Sequence, residues 1–167
     1  GLQSIHARSL ELLNRNHSLA DFLDAFARLS GVDGLQVGAH LILGIPGESA
    51  ADMLATVRAV CALPVQALKL HHLQVIRDTP LHRLHARDPI PLFTLQGYLD
   101  LLLRLLPHIP GDVTLHRLWS TARPELLEGP QWGCLSGELS ARLRRVMAEQ
   151  GIWQGQAAEG ASGPAGE

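Results

Sequence analysis

The chain has 167 residues, enough for one ordinary domain with its own core. Hydrophobic residues make up 46% and charged residues 18%, a globular balance that excludes intrinsic disorder over most of the length. A net charge of −2 supplies no global basic field for wrapping nucleic acid, and two cysteines, Cys61 and Cys134, make neither a disulfide framework nor a tetrathiolate site.

From the N-terminus, apolar residues recur at helical spacing over 9–15 and 19–29. In the second stretch Leu19, Phe22, Leu23, Phe26 and Leu29 form one stripe, with Ser18 placed to cap and Gly31 to stop it. Residues 35–43 (LQVGAHLIL) are nearly continuously apolar, as in a strand covered on both faces. Gly44-Ile45-Pro46-Gly47-Glu48 breaks that strand, and Ser49 can cap a helix running to about residue 62. A second buried strand is predicted over 65–76 and a short helix over 81–86. Helices follow at 94–106 and 138–150, with another strand at 113–119 between them. Strand, helix, strand at this spacing means βαβ units and a parallel sheet. The segment 154–167 is poor in apolar residues and is predicted to be a disordered tail.

No run of 18 apolar residues occurs, so no helical membrane span is predicted, and the cysteine usage suits a reducing cytoplasm. The start Gly-Leu-Gln-Ser carries neither an initiator methionine nor a signal core, and the chain is expected to be a portion of a longer polypeptide.

Parallel α/β folds bind ligands at the carboxyl ends of their strands, where the following loops begin. Three such ends concentrate unusual residues. Gln3 and Ser4 offer an amide and a hydroxyl to a ribose or a carboxylate, although simple helix capping by Ser4 is the plainer reading. The run His40 to Glu48 holds two glycines that let backbone approach a flat ligand; a structural turn is the plainer reading, and no phosphate-loop pattern is present. In Lys69-Leu70-His71-His72-Leu73-Gln74, alternation places Lys69 and His71 on one face, where a cation and an imidazole need partners. His116 and Arg117 intrude into the late strand in the same way. His82 and His85 stand at i, i+3 without an evident third ligand, so no dedicated metal site is assigned.

Taken in order, GLQS, SLELLNRNH, AHLILGIPGE, LKLHHLQVIRDTPL and TLHRL resemble the radical SAM superfamily over residues 1–153. The resemblance is closest to a bacterial branch near the oxygen-independent coproporphyrinogen oxidases and the Elongator catalytic subunit. It implies an α/β fold: the C-terminal half of a partial (β/α)6 TIM-like barrel over 1–92, then a mainly helical extension over 93–153. It also implies that Gln3 and Ser4 touch the ribose of S-adenosylmethionine, and that His40, Ile42 and Gly44 pack near its adenine. Lys69 and His71 would face substrate, with His116 and Arg117 as further candidates of that kind. The complete protein would use S-adenosylmethionine and a [4Fe–4S] cluster held by a three-cysteine motif that this sequence lacks.

The implied partners are a preceding half with that motif, a reductant such as flavodoxin or ferredoxin, and a tRNA if the Elongator branch is the guide. Two positions depart from the family pattern: Gln74 stands where relatives carry His, and Asp78 where they carry Gly. By itself the chain is expected to be inactive and, with a sheet edge exposed, prone to pair edges or aggregate. The alternatives are a non-catalytic α/β binding module or remnant, and a metal-dependent barrel hydrolase using His40, His71 and His116.

Overall fold

The computed structural model describes residues 1–159. Helix α1 (Ala7–Leu12) and helix α2 (Leu19–Ser30) come first. The Ser18 hydroxyl accepts from the Asp21 amide while the Asp21 carboxylate accepts from the Ser18 amide, so two otherwise orphaned groups are satisfied together. Of the predicted apolar stripe only Phe26 is buried, and Leu23 and Leu29 remain 41% and 46% exposed.

Strand β1 (Gly38–Leu43) begins three residues later than predicted. The backbone turns at Gly34 (φ +76°), which leaves Leu35 on the surface. Helix α3 (Ala50–Cys61) starts from a second Ser–Asp capping box, Ser49 with Asp52. Strand β2 (Ala67–His72) pairs parallel with β1, from Gly38↔Ala67 to Leu43↔His72.

The single strand predicted over 65–76 is two. Past Leu73, strand β3 (Val75–Ile76) leaves the parallel sheet and pairs antiparallel with β5 (Leu127–Gly129), which carries no sequence signal of its own. Helix α4 (Pro80–Arg87) and helix α5 (Leu95–Leu105) lie between β3 and β4, and a 3-10 turn (Leu106–His108) extends α5. Strand β4 (Thr114–Arg117) pairs parallel with β2 and completes a three-stranded sheet of order β1-β2-β4. Gln3 adds a parallel bridge to Leu41 on the other side of β1. The sheet therefore crosses the predicted boundary at 92/93, because its third strand comes from the segment assigned to the extension.

Helix α6 (Ser136–Gln150) stops at Gly151, held at φ +63°, and a last short helix α7 (Gln156–Glu159) follows. Gln154 is no part of a loose tail: its amide donates to the carbonyls of Pro110 and Val113, each at 2.7 Å. Residues 156–159 of the predicted tail form α7, and residues 160–167 lie outside the described residues.

Alternation decides the two faces of the sheet. Ala39, Leu41 and Leu43 of β1 and Leu68 and Leu70 of β2 point into the core, where α3 adds Val57 and α5 adds Leu102. Each fully buried Leu here contributes about 2 kcal/mol. The other face holds His40, Ile42, Lys69, His71 and Arg117.

Candidate functional site at the polar face of the sheet

The registers place His40, Lys69 and Arg117 side by side on three adjacent strands: His40↔Lys69 across β1 and β2, Lys69↔Arg117 across β2 and β4. One pleat nearer the strand ends, His71 stands opposite Ile42, and its ring meets that of His40 edge to face with centroids 4.1 Å apart. Burial lowers the pKa of His71 to about 4, with help from His40, Arg117 and Lys69. His40 shifts down for the same first reason, then through Lys69, the N-terminal amine, Arg117 and Arg15. Both imidazoles are neutral at pH 7.

Gln3, 7% exposed and held at φ +69°, lies against this face, since a Cβ on Gly1 would meet Gln3 Nε2 at 2.4 Å and His40 Cβ at 3.1 Å. Three polar atoms here are buried without a hydrogen-bond partner: Gln3 Oε1, His40 Nε2 and His71 Nε2. Such atoms are costly unless something else satisfies them.

Ser4 is not among the free groups. Fully buried, it donates to Glu48 Oε1 and accepts from the His6 amide at 3.1 Å. Ser9, likewise buried, donates to the same Glu48 oxygen at 2.6 Å. One carboxylate thus ties the N-terminal segment to the loop after β1, and Arg8 adds a bond to the Gly47 carbonyl at 2.7 Å. The sequence reading missed Glu48 as the organiser. Its signal was a lone acid ending a Gly-Ile-Pro-Gly turn, and the partners lie 44 and 39 residues away.

Gly44 sits just past the end of β1 at φ +86°, covered by Phe93, whose Cε2 would lie 2.6 Å from an added Cβ. Its close approach is therefore to that ring. Beyond it opens a cavity of about 460 Å³ bordered by Pro46, Met53, Phe93, Asp100 and Arg104.

His72 faces the core, 3% exposed, its ring tilted on Trp132 at 4.1 Å. Its Nδ1 accepts from the Ser120 amide at 3.3 Å, and burial lowers its pKa to about 4. His72 and Trp132 border a second cavity of about 490 Å³ with Gln74, Cys134 and Glu138.

His116 is the extra residue where the β2–β4 register shifts, and it borders a groove with Ser136 and Ser140 apart from His40 and His71. Among the described residues no three metal-capable side chains converge, so the three-histidine hydrolase arrangement does not form. His82 and His85 accept backbone hydrogen bonds from Asp78 and Ile90 through Nδ1.

A parallel sheet with polar side chains near its strand ends fits many α/β families; the match to known sequences decides among them. The Radical_SAM C-terminal domain family matches residues 65–148, half of the chain. The chain belongs to that family.

Relatives outside the matched segment extend the likeness. YtqA of Bacillus subtilis is 29% identical over 93% of the chain, and YhcC of Escherichia coli K12 is 31% identical over 94%. The chain spans about half the length of each, 48% and 50% respectively. An archaeal Elp3 from Methanocaldococcus infernus, lacking its N-terminal 46 residues, superposes with a TM-score of 0.80. That likeness covers 92% of this chain and 36% of Elp3 at 21% identity, and it establishes the fold.

The family implies S-adenosylmethionine and a [4Fe–4S] cluster in complete proteins. The buried unpartnered atoms of Gln3 and His40 fit a polar ligand with hydroxyl and amine groups. The cluster does not fit this chain's own cysteines. Burial raises the Cys61 thiol to about 11, keeping it protonated beside Arg58 and His108, whereas Cys134 borders the Trp132 cavity.

Proposed function

We propose that the chain forms one flank of the cofactor and substrate chamber of a radical SAM enzyme, acting with a preceding segment that carries the cluster cysteines. The observation that carries this reading is the set of unpartnered buried polar atoms on the sheet of a chain that belongs to the family. When bound, S-adenosylmethionine and a reduced cluster supply a 5′-deoxyadenosyl radical.

The chain's own residues bind and orient. Gln3 offers its amide to the ribose, and His40, Ile42 and the backbone at Gly44 border the adenine. Ser4 is a positioning residue, because its hydroxyl is engaged with Glu48. Lys69, His71 and Arg117 face the substrate side. His116 borders the neighbouring groove together with Arg117. The remaining partners follow the resemblance: a flavodoxin or ferredoxin as reductant and a tRNA as one candidate substrate. Two free cysteines suit a cytoplasmic setting, and no helix among the described residues is long and apolar enough to cross a membrane.

The test is anaerobic purification of the full-length polypeptide that carries this chain, with iron and sulfide analysis and detection of 5′-deoxyadenosine after reduction. Cleavage of S-adenosylmethionine is expected. Gln3→Ala should raise the KM for S-adenosylmethionine roughly tenfold, the loss of one good hydrogen bond, at unchanged iron content. A full-length polypeptide without a cluster, or with one and no 5′-deoxyadenosine, would instead be a non-catalytic α/β module.

A further inference from the structure

We propose that Lys69 and Arg117, with the imidazole of His71 beside them, form an oxyanion subsite that takes the carboxylate or phosphate of a small-molecule substrate. That the bound anion is a substrate rests on the radical SAM reading above; the affinity for an anion does not.

Lys69 and Arg117 are direct cross-strand partners, a like-charge juxtaposition that weakens a sheet. Among the described residues neither makes an ion pair or a side-chain hydrogen bond. The charges that act on the neighbouring imidazoles are all positive: Lys69, Arg117, Arg15 and the N-terminal amine. Among the described residues no carboxylate lies on this face of β1, β2 or β4, since the residues there are Gly38, His40, Ile42, Ala67, Lys69, His71, Thr114 and Arg117.

A cationic row in a chain of net charge −2 is local and not part of a general basic surface. The backbones that carry Lys69 and Arg117 are neighbouring strands, roughly 5 Å apart, so a guanidinium and an ammonium reaching from them can bracket a single oxyanion, the Arg through two parallel N–H donors and the Lys as a point charge. Beside them His71 Nε2 is buried with no partner, and a neutral imidazole protonated there is a third donor. Two cations match one or two anionic groups and not a polyanionic backbone, which engages many more.

The experiment follows the ring signals of His40 and His71 in the full-length polypeptide that carries this chain, labelled with carbon-13 histidine, during separate titrations with inorganic phosphate, succinate and a single-stranded RNA oligonucleotide. Saturable shifts with phosphate or succinate are expected, and whichever binds tighter identifies the anion class. The Lys69→Met/Arg117→Met double variant, altered only at exposed side chains, should bind at least roughly tenfold more weakly, and Lys69→Arg should stay near wild type.

Absence of any shift with both small anions, or shifts that survive in the double variant, would overturn the subsite. RNA binding tighter than either, with a salt dependence steeper than two neutralised charges, would overturn the small-molecule assignment. The two readings fail separately. Loss of phosphate binding with 5′-deoxyadenosine formation intact leaves the radical SAM reading standing, and a cluster-free parent that still binds phosphate leaves the anion subsite standing.

Discussion

Single side chains at the site divide into those with partners and those without. Glu48 belongs to the first group: its carboxylate satisfies two buried hydroxyls, Ser4 and Ser9. Removing it strands both donors, and each buried unsatisfied hydroxyl costs about 1–3 kcal/mol. Glu48→Ala is therefore expected to destabilise by about 2–4 kcal/mol in urea unfolding, whereas Glu48→Gln, which keeps an acceptor oxygen, should lose less than half as much. Equal losses in the two variants would mean that the hydroxyls find other acceptors. Local pattern can separate these groups only in part. Period-two alternation correctly assigns Lys69 and His71 to one face, because neighbouring residues fix the strand's parity. It cannot show that Ser4 is engaged, because the partner's position depends on tertiary folding.

Among the elements, the junction of β3 and α4 shows how one residue can bear a conformational cost. Asp78 holds φ +64°, a left-handed conformation in which a Cβ is disfavoured, and its amide donates to His82 Nδ1 at 3.3 Å. A glycine adopts the same turn without that penalty. Asp78→Gly should raise the unfolding free energy by about 0.5–1 kcal/mol, seen as a higher Tm, since relief of strain outweighs the entropy gained by the unfolded chain. An unchanged or lower Tm would mean that the Asp side chain contributes more than its backbone costs.

Most elements with their own periodicity and caps were legible: α2, α3 and α5 begin at the Ser18, Ser49 and Thr94 expected of them. Less legible was the break after Leu73, because apolar residues continue through it while the pairing partner changes from β1 to β5. Strand β5 has three residues, too few for a pattern, and its pairing depends on a segment far away in the sequence, Val75 and Ile76.

At the scale of the whole molecule, neutral imidazoles make stability depend on acidity. His71 and His72 both have folded pKa values near 4, below the ordinary 6.5. Between pH 6.5 and 4 the unfolded chain therefore binds more protons than the folded one, and stability must fall as pH falls through that window. The urea midpoint should drop steadily from pH 7 to pH 4.5. In His72→Asn the amide oxygen can still accept from Ser120, and this variant should show a shallower decline; a flat midpoint in the parent would contradict the burial of neutral rings. Asp21 and Asp52, whose carboxyls are held below the usual range by their capping serines, add their dependence lower on the scale.

The overall α/β layout was readable from strand and helix order, but the extent of the sheet was not. Strand β4 is short and mostly exposed, and it joins β2 only because the segment after α5 returns alongside. Gln154 stands behind that return, with one amide bridging the two carbonyls that precede β4. Composition marks everything after residue 153 as disposable trimming. The hydrogen bonds put the hem of the folded unit beyond it: Gln154 is the stitch that fastens the cloth where the third strand is sewn in, and a cut made by eye on the low-complexity letters would fall on the wrong side of the seam.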